Sequence, residues 1–168
     1  LRVAQAVFAD IQYSNLRMGV NARDGRLRVF PSQAEIYGGQ YSGDITLDAS
    51  AATPRASFNE KITGLDFAPL FRDMFESKRI SGRGNLAIKA TASGKDTDAM
   101  LRTLNGTLGF NVDNGALEGV DLWYEIRRAR ALLKKQAPPE RTGPERTAFT
   151  ALSATGAIAN GVITSNDI

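Results

Sequence analysis

The chain has 168 residues, 42% of them hydrophobic and 23% charged, a composition that fits one folded domain and excludes a disordered segment. It contains no Cys and no His, which excludes thiolate and imidazole metal sites, Cys nucleophiles and His general bases. The net charge of +3, from 21 basic and 18 acidic residues, is too small an excess to argue for a nucleic-acid partner.

Residues 12–22 alternate, with Leu16, Met18 and Val20 on one side and Arg17, Gly19 and Asn21 on the other, so a half-buried strand is expected. Asp24-Gly25 suits a tight hairpin turn, after which Leu27 and Val29 resume the apolar side while Arg26, Arg28 and Phe30 face out. Pro31 and Ser32 interrupt, and Ala34 and Ile36 lead to a second turn at Tyr37-Gly38-Gly39. The next strand places Tyr41, Gly43, Ile45 and Leu47 opposite Ser42, Asp44, Thr46 and Asp48. Another covers Arg55 to Thr63, where Ala56, Phe58 and Ile62 are apolar and Glu60 breaks the pattern.

Asp66 is placed as the cap of a short helix near 67–76, with Pro69 in its first turn and Phe67, Leu70, Phe71, Met74 and Phe75 at helical spacing. A strand with Leu86, Ile88 and Ala90 follows, then a second short helix over 96–103. Leu108, Phe110 and Val112 make a further strand, ended by Asn114-Gly115. A longer helix near 122–135 shares Leu122, Ile126, Ala129 and Leu133 on one face, with Arg127, Arg130 and Lys134 on another. Residues 136–146 read as a linker, and strands resume over 149–159 and from Val162, around an Asn160-Gly161 turn. Gly38, Gly39, Gly115 and Gly161 read as positions needing positive φ.

The expected fold is mainly β with inserted helices (α+β): a curved antiparallel sheet of about eight strands in sequence-adjacent hairpins. A sheet with one apolar face must cover that face with a second layer. Either the two main helices close it, giving an ordinary α+β domain, or the sheet curls into a trough suited to acyl chains. No apolar run reaches the ~18 residues of a membrane span, and no secretory signal pattern opens the chain. The start at Leu1 without Met and the end in strand-like sequence lead us to expect a single region, 1–168, of a longer protein.

Several motifs occur in order. Ile36-Tyr37-Gly38-Gly39-Gln40-Tyr41-Ser42-Gly43 runs into Ile45-Thr46-Leu47-Asp48; Ile62-Thr63-Gly64-Leu65-Asp66 precedes the short helix; Ile80-Ser81-Gly82-Arg83-Gly84-Asn85-Leu86 begins the next strand. Then come Leu104-Asn105-Gly106-Thr107, Asn114-Gly115-Ala116-Leu117-Glu118-Gly119-Val120-Asp121-Leu122, Thr147-Ala148-Phe149-Thr150-Ala151-Leu152, Asn160-Gly161-Val162-Ile163 and Asn166-Asp167-Ile168. Together they resemble the C-terminal region of the AsmA family over nearly the whole chain; Val3 to Asp10 is less diagnostic, and the chain ends before the family region does.

That resemblance implies a periplasmic β-rich body tethered to the bacterial inner membrane through a segment outside these residues, with a part in outer-membrane integrity and assembly. It further implies kinship to bridge-like lipid-transfer proteins, whose curled sheet forms a hydrophobic groove for phospholipid. No catalytic residues come with the family, so a non-enzymatic module without cofactor or metal is expected. The second reading is a protein-interaction scaffold assisting outer-membrane protein assembly, through exposed strand edges and an envelope protein partner.

The candidate lipid-contacting residues are Leu16, Met18, Val20, Leu27, Val29, Ile45, Leu47, Leu86, Ile88, Leu108 and Phe110, each otherwise a core residue. Trp123, Arg127, Arg128 and Arg130 are candidate headgroup contacts on an interfacial helix. The same pattern also suits a docked helix with a solvated basic face, its cations favoured near the C-terminus by the dipole. Asp44, Asp48, Asp66, Asp73 and Asp113, spread over outward positions, caps and turns, read as solubilising residues rather than acid–base catalysts.

Overall fold

The computed structural model describes residues 1–8, 11–75 and 79–165. The expected helix end at Glu76 and the Asn166-Asp167-Ile168 motif lie outside the described residues, as do the side chains of Met74 and Phe75. Among the described residues nine strands, β1 (Arg2–Phe8), β2 (Ile11–Arg23), β3 (Arg26–Ile36), β4 (Gly39–Asp48), β5 (Arg55–Asp66), β6 (Ile80–Ser93), β7 (Asn105–Glu118), β8 (Arg146–Ala159) and β9 (Val162–Thr164), form one sheet in strictly sequential order. Every neighbouring pair is antiparallel. The strand beyond the expected eight is β1, whose alternation is too weak to read from sequence.

Three helices interrupt the hairpins: α1 (Phe67–Phe75) between β5 and β6, α2 (Thr97–Arg102) between β6 and β7, and α3 (Leu122–Leu133) between β7 and β8. Each begins at an aspartate that accepts a backbone N–H otherwise left without a partner. Asp66 accepts from Ala68 at 3.1 Å, Asp96 from Ala99 at 2.7 Å and Asp121 from Tyr124 at 2.9 Å.

The hairpin turns use the expected residues. Asp24 and Gly25 adopt φ of 50° and 75°, and Asn160 and Gly161 adopt 51° and 79°, the left-handed pair that matches strand twist. Two expected boundaries are corrected. Pro31-Ser32 does not end a strand; β3 continues through a register shift between Val29 and Ser32. Asn114-Gly115 does not end β7, which runs on to Glu118 with Asn114 at φ 49°.

Gly39 and Gly115 also differ from expectation, because neither has positive φ; Tyr37 (45°) and Asn114 adopt it instead. Both glycines are required by crowding: a Cβ on Gly39 would lie 2.8 Å from the Leu65 backbone, and one on Gly115 would meet the Ser81 carbonyl and the Phe149 ring.

The core sits where α1 lies against one end of the apolar face. Ile36, Ile62, Leu65, Phe67, Leu70 and Val112 are buried together, ringed by Tyr13, Tyr37, Tyr41, Phe71, Leu86 and Phe110. Phe67 packs its ring on Phe71 and Phe110, with centroids 6.3 and 6.1 Å apart. At the same end Tyr37 donates to Asp73 at 3.0 Å, and burial together with that carboxylate pushes its hydroxyl up to about 12.

Leu65 is fully buried at the centre of this cluster. Leu65→Ala is expected to cost about 3 kcal/mol, through lost burial and the cavity left behind, read as a lower midpoint in urea unfolding.

Candidate functional site

Cross-strand pairing fixes which side chains share a face, because directly opposed residues point the same way. Met18 opposes Ser32, Val20 opposes Val29, Val29 opposes Ile45, and Ile45 opposes Phe58. Leu27 opposes Leu47, and Leu47 opposes Ala56. Further across, Ile88 opposes Leu108 and Leu86 opposes Phe110, while Leu16 lies two residues before Met18 on the same strand. All eleven candidate lipid-contacting residues therefore stand on one face.

The other face is ionic. Arg26 pairs with Asp48 at 2.9 Å and Arg28 with Asp44 at 2.5 Å, and the Arg28 guanidinium lies 4.0 Å from the centre of the outward Phe30 ring. Hydrogen bonds from Arg28 hold the Asp44 carboxyl below its ordinary range, and bonds from Ser50 and Arg26 do the same for Asp48.

The apolar face is covered unevenly. α1 closes one end, and Leu86 and Phe110 pack against its core. α2 lies over the other end, where Ala56, Phe58, Ile88, Ala90 and Ala92 face Met100, Leu101 and Leu104 across an open cleft of about 420 Å³. That volume is within the range of small-molecule sites. No helix has its main packing on the β2–β4 stretch nearest the Asp24-Gly25 turn, where Val20, Leu27 and Leu47 are 56%, 37% and 37% exposed. Leu16, Met18, Val29, Ile45, Ile88 and Leu108 are half-buried.

The expectation that the longer helix covers part of this face is corrected. α3 buries none of its residues and packs chiefly along β8, and Trp123, Arg127, Arg128 and Arg130 are all exposed. Its starting point is fixed by Thr147, whose hydroxyl accepts from the Leu122 N–H at 2.9 Å and donates to the Val120 carbonyl at 2.7 Å.

The carboxylate of Glu60 stands on the apolar face, in one row with the buried Ser32 and with Gly43 between them. Glu60 opposes Gly43 on one side and Ile88 on the other. Tyr41 donates to Glu60 Oε2 at 2.5 Å, and Tyr13 packs edge-on against the Tyr41 ring at 6.0 Å. Gly43 makes the room, since any Cβ there would collide with Glu60 Oε2 and the Tyr41 hydroxyl. Glu60 Oε1 is buried without a hydrogen-bond partner. Burial raises the Glu60 carboxyl above its ordinary value, against the opposing bond from Tyr41; burial followed by the Glu60 charge raises the Tyr13 hydroxyl, and burial followed by the hydrogen bond to Glu60 raises that of Tyr41. The sequence shows Glu60 as a break in alternation; its partners appear only once the register is fixed.

A model of the AsmA family matches residues 1–168. The chain belongs to the AsmA family. It is similar to Protein AsmA of Escherichia coli (strain K12), 20% identical over 129 residues, an alignment covering 77% of this chain and 21% of that protein. The chain thus spans about a fifth of that relative's length. No solved structure matches. No helix among the described residues is long and apolar enough to cross a membrane.

The raised Glu60 carboxyl has a testable sign. The folded state holds its proton more tightly than the unfolded chain, so the Glu60 contribution to stability is fully present below the unfolded value of 4.5 and is lost as pH climbs through the raised folded value. Glu60→Gln is expected to remove that decline, leaving the variant more stable than the parent at neutral pH, as read from urea midpoints across pH.

Proposed function

We propose that this chain is a non-enzymatic module of an envelope-maintenance protein whose apolar sheet face holds acyl chains during phospholipid transfer between inner and outer membranes. The module works in the periplasm, tethered to the inner membrane through a segment outside these residues. The observation that carries the reading is the uncovered stretch of β2–β4. Its Val20, Leu27 and Leu47 lie in continuous rows with Val29, Ile45 and Phe58. Water on such a surface is unfavourable, and each methylene group of a bound chain that displaces it contributes about 0.8 kcal/mol.

The geometry of the rows supports the same reading. Nine strands at a spacing of 4.8 Å extend the apolar face over roughly 38 Å, a length set by backbone hydrogen bonding. The ionic back keeps that face from being exchanged with the other, because turning it over would bury Arg26, Arg28, Asp44 and Asp48.

Photocrosslinking in cells tests the proposal in the full-length protein. Probes at Val20, Leu27 or Leu47 are expected to capture phospholipid, and probes at the outward Arg26 or Asp48 positions are not. Combining Val20→Asp with Leu47→Asp should remove most of the phospholipid that co-purifies, since a carboxylate on the floor of the trough opposes acyl burial. Phospholipid-free protein in native mass spectrometry, with probes at β1 and β9 capturing proteins instead, would replace this reading with the scaffold.

A further inference from the structure

We infer that α3 is a membrane-surface helix that lies on anionic phospholipid with its exposed apolar stripe. The inference is independent of the groove, because it concerns a different element and a different part of the lipid.

The orientation of the helix carries it. At 100° per residue, Tyr124 and Ala131 fall on one side, and within α3 these two residues are the only ones partly shielded from solvent. Arg141 fixes that side by lying 4.6 Å from the Tyr124 ring centre and pairing with Glu125 and Glu145. Leu122, Ile126, Ala129 and Leu133 fall on the opposite side. Leu122, Ile126 and Leu133 are 45%, 47% and 86% exposed, an amphipathic helix with its greasy side outward.

Charge selects the partner. Trp123, 64% exposed, shares the flank of the apolar stripe with Arg127, Arg130 and Lys134. Arg127, Arg128, Arg130, Lys134 and Lys135 stand against the single carboxylate Glu125, which pairs with Arg128 at 3.3 Å. No ion pair among the described residues engages Arg127, Arg130, Lys134 or Lys135. A stripe of leucine and isoleucine edged by tryptophan and free cations matches the headgroup boundary of an anionic bilayer, where the ring and the cations sit at headgroup depth. A protein groove would suit the apolar stripe alone and leave those cations without partners.

Trp123 is the single tryptophan of the 168 residues and reports directly on the contact. Mixing the chain with vesicles of phosphatidylethanolamine containing phosphatidylglycerol should shift its emission to the blue and bring the chain down with the vesicles. Vesicles of phosphatidylcholine alone should do neither. Replacing Arg127, Arg130 or Lys134 singly with Gln should weaken binding by about fivefold each, and added salt should weaken it further. Leu133→Asp, at an exposed position that cannot disturb the sheet, should abolish the blue shift while circular dichroism keeps its strand signal. Tryptophan emission unchanged by anionic vesicles, or equal binding to both vesicle types at all salt concentrations, overturns the inference. Capture of a protein at Leu133 by an in-cell crosslinker, without lipid, would do the same.

Discussion

The pleat of a β-strand sends successive side chains to opposite faces, and here that rule governs nine strands that are each paired to the next in sequence. A slip of one residue in any strand would turn its whole apolar set to the ionic side. Bulges at four places prevent this, one of them at Asn114 of β7. The extra residue between Val29 and Ser32 keeps Ser32, Ala34 and Ile36 on the same face as Leu27 and Val29. Gly64, at φ 69°, does the same for Leu65 after Ile62, and Asn15, at φ 54°, for Leu16 after Tyr13. The core under α1 and the bare rows beyond it are two regions of one continuous surface made possible by these insertions.

Why that surface is bare in places follows from connectivity. Consecutive hairpins turn at alternate ends of the sheet, so α1 and α2, inserted in successive connections, land at opposite ends. Each covers what lies near its own attachment. α1 carries Phe67, Leu70 and Phe71 and fills its end; α2 has six residues, none buried, and only roofs a cleft. The connections at β2–β3 and β3–β4 are tight turns with no chain to spare for a cover. The rows of Val20, Leu27 and Leu47 therefore have no helix of their own.

Much of this was legible in the residues. Alternation located the strands after β1 and put all eleven apolar candidates on one side, and Asp24-Gly25 and Asn160-Gly161 marked their turns because few other residues tolerate positive φ. The bulges were not legible, since one additional residue in a strand leaves no compositional trace; Pro31 and Asn114 looked like ends for that reason. Gly39 and Gly115 misled in the opposite direction, because crowding and backbone freedom call for the same residue type. The outward turn of α3 was also out of reach. Its periodicity describes an apolar stripe and says nothing about where the Thr147 contact will start the helix or which side Arg141 will cover.

Sequential pairing has a consequence for how the molecule assembles. Because each strand meets only the strands before and after it, ordering can spread hairpin by hairpin from whichever pair closes first, the connection through α3 between β7 and β8 being the longest to close before contacts reward it. Cohesion then resembles that of a stacked array, a sum of nearest-neighbour terms in which damage at one seam weakens its surroundings most and leaves distant strands paired. Such an architecture tolerates lengthening or shortening by whole hairpins, since a new hairpin needs only one existing edge on which to form.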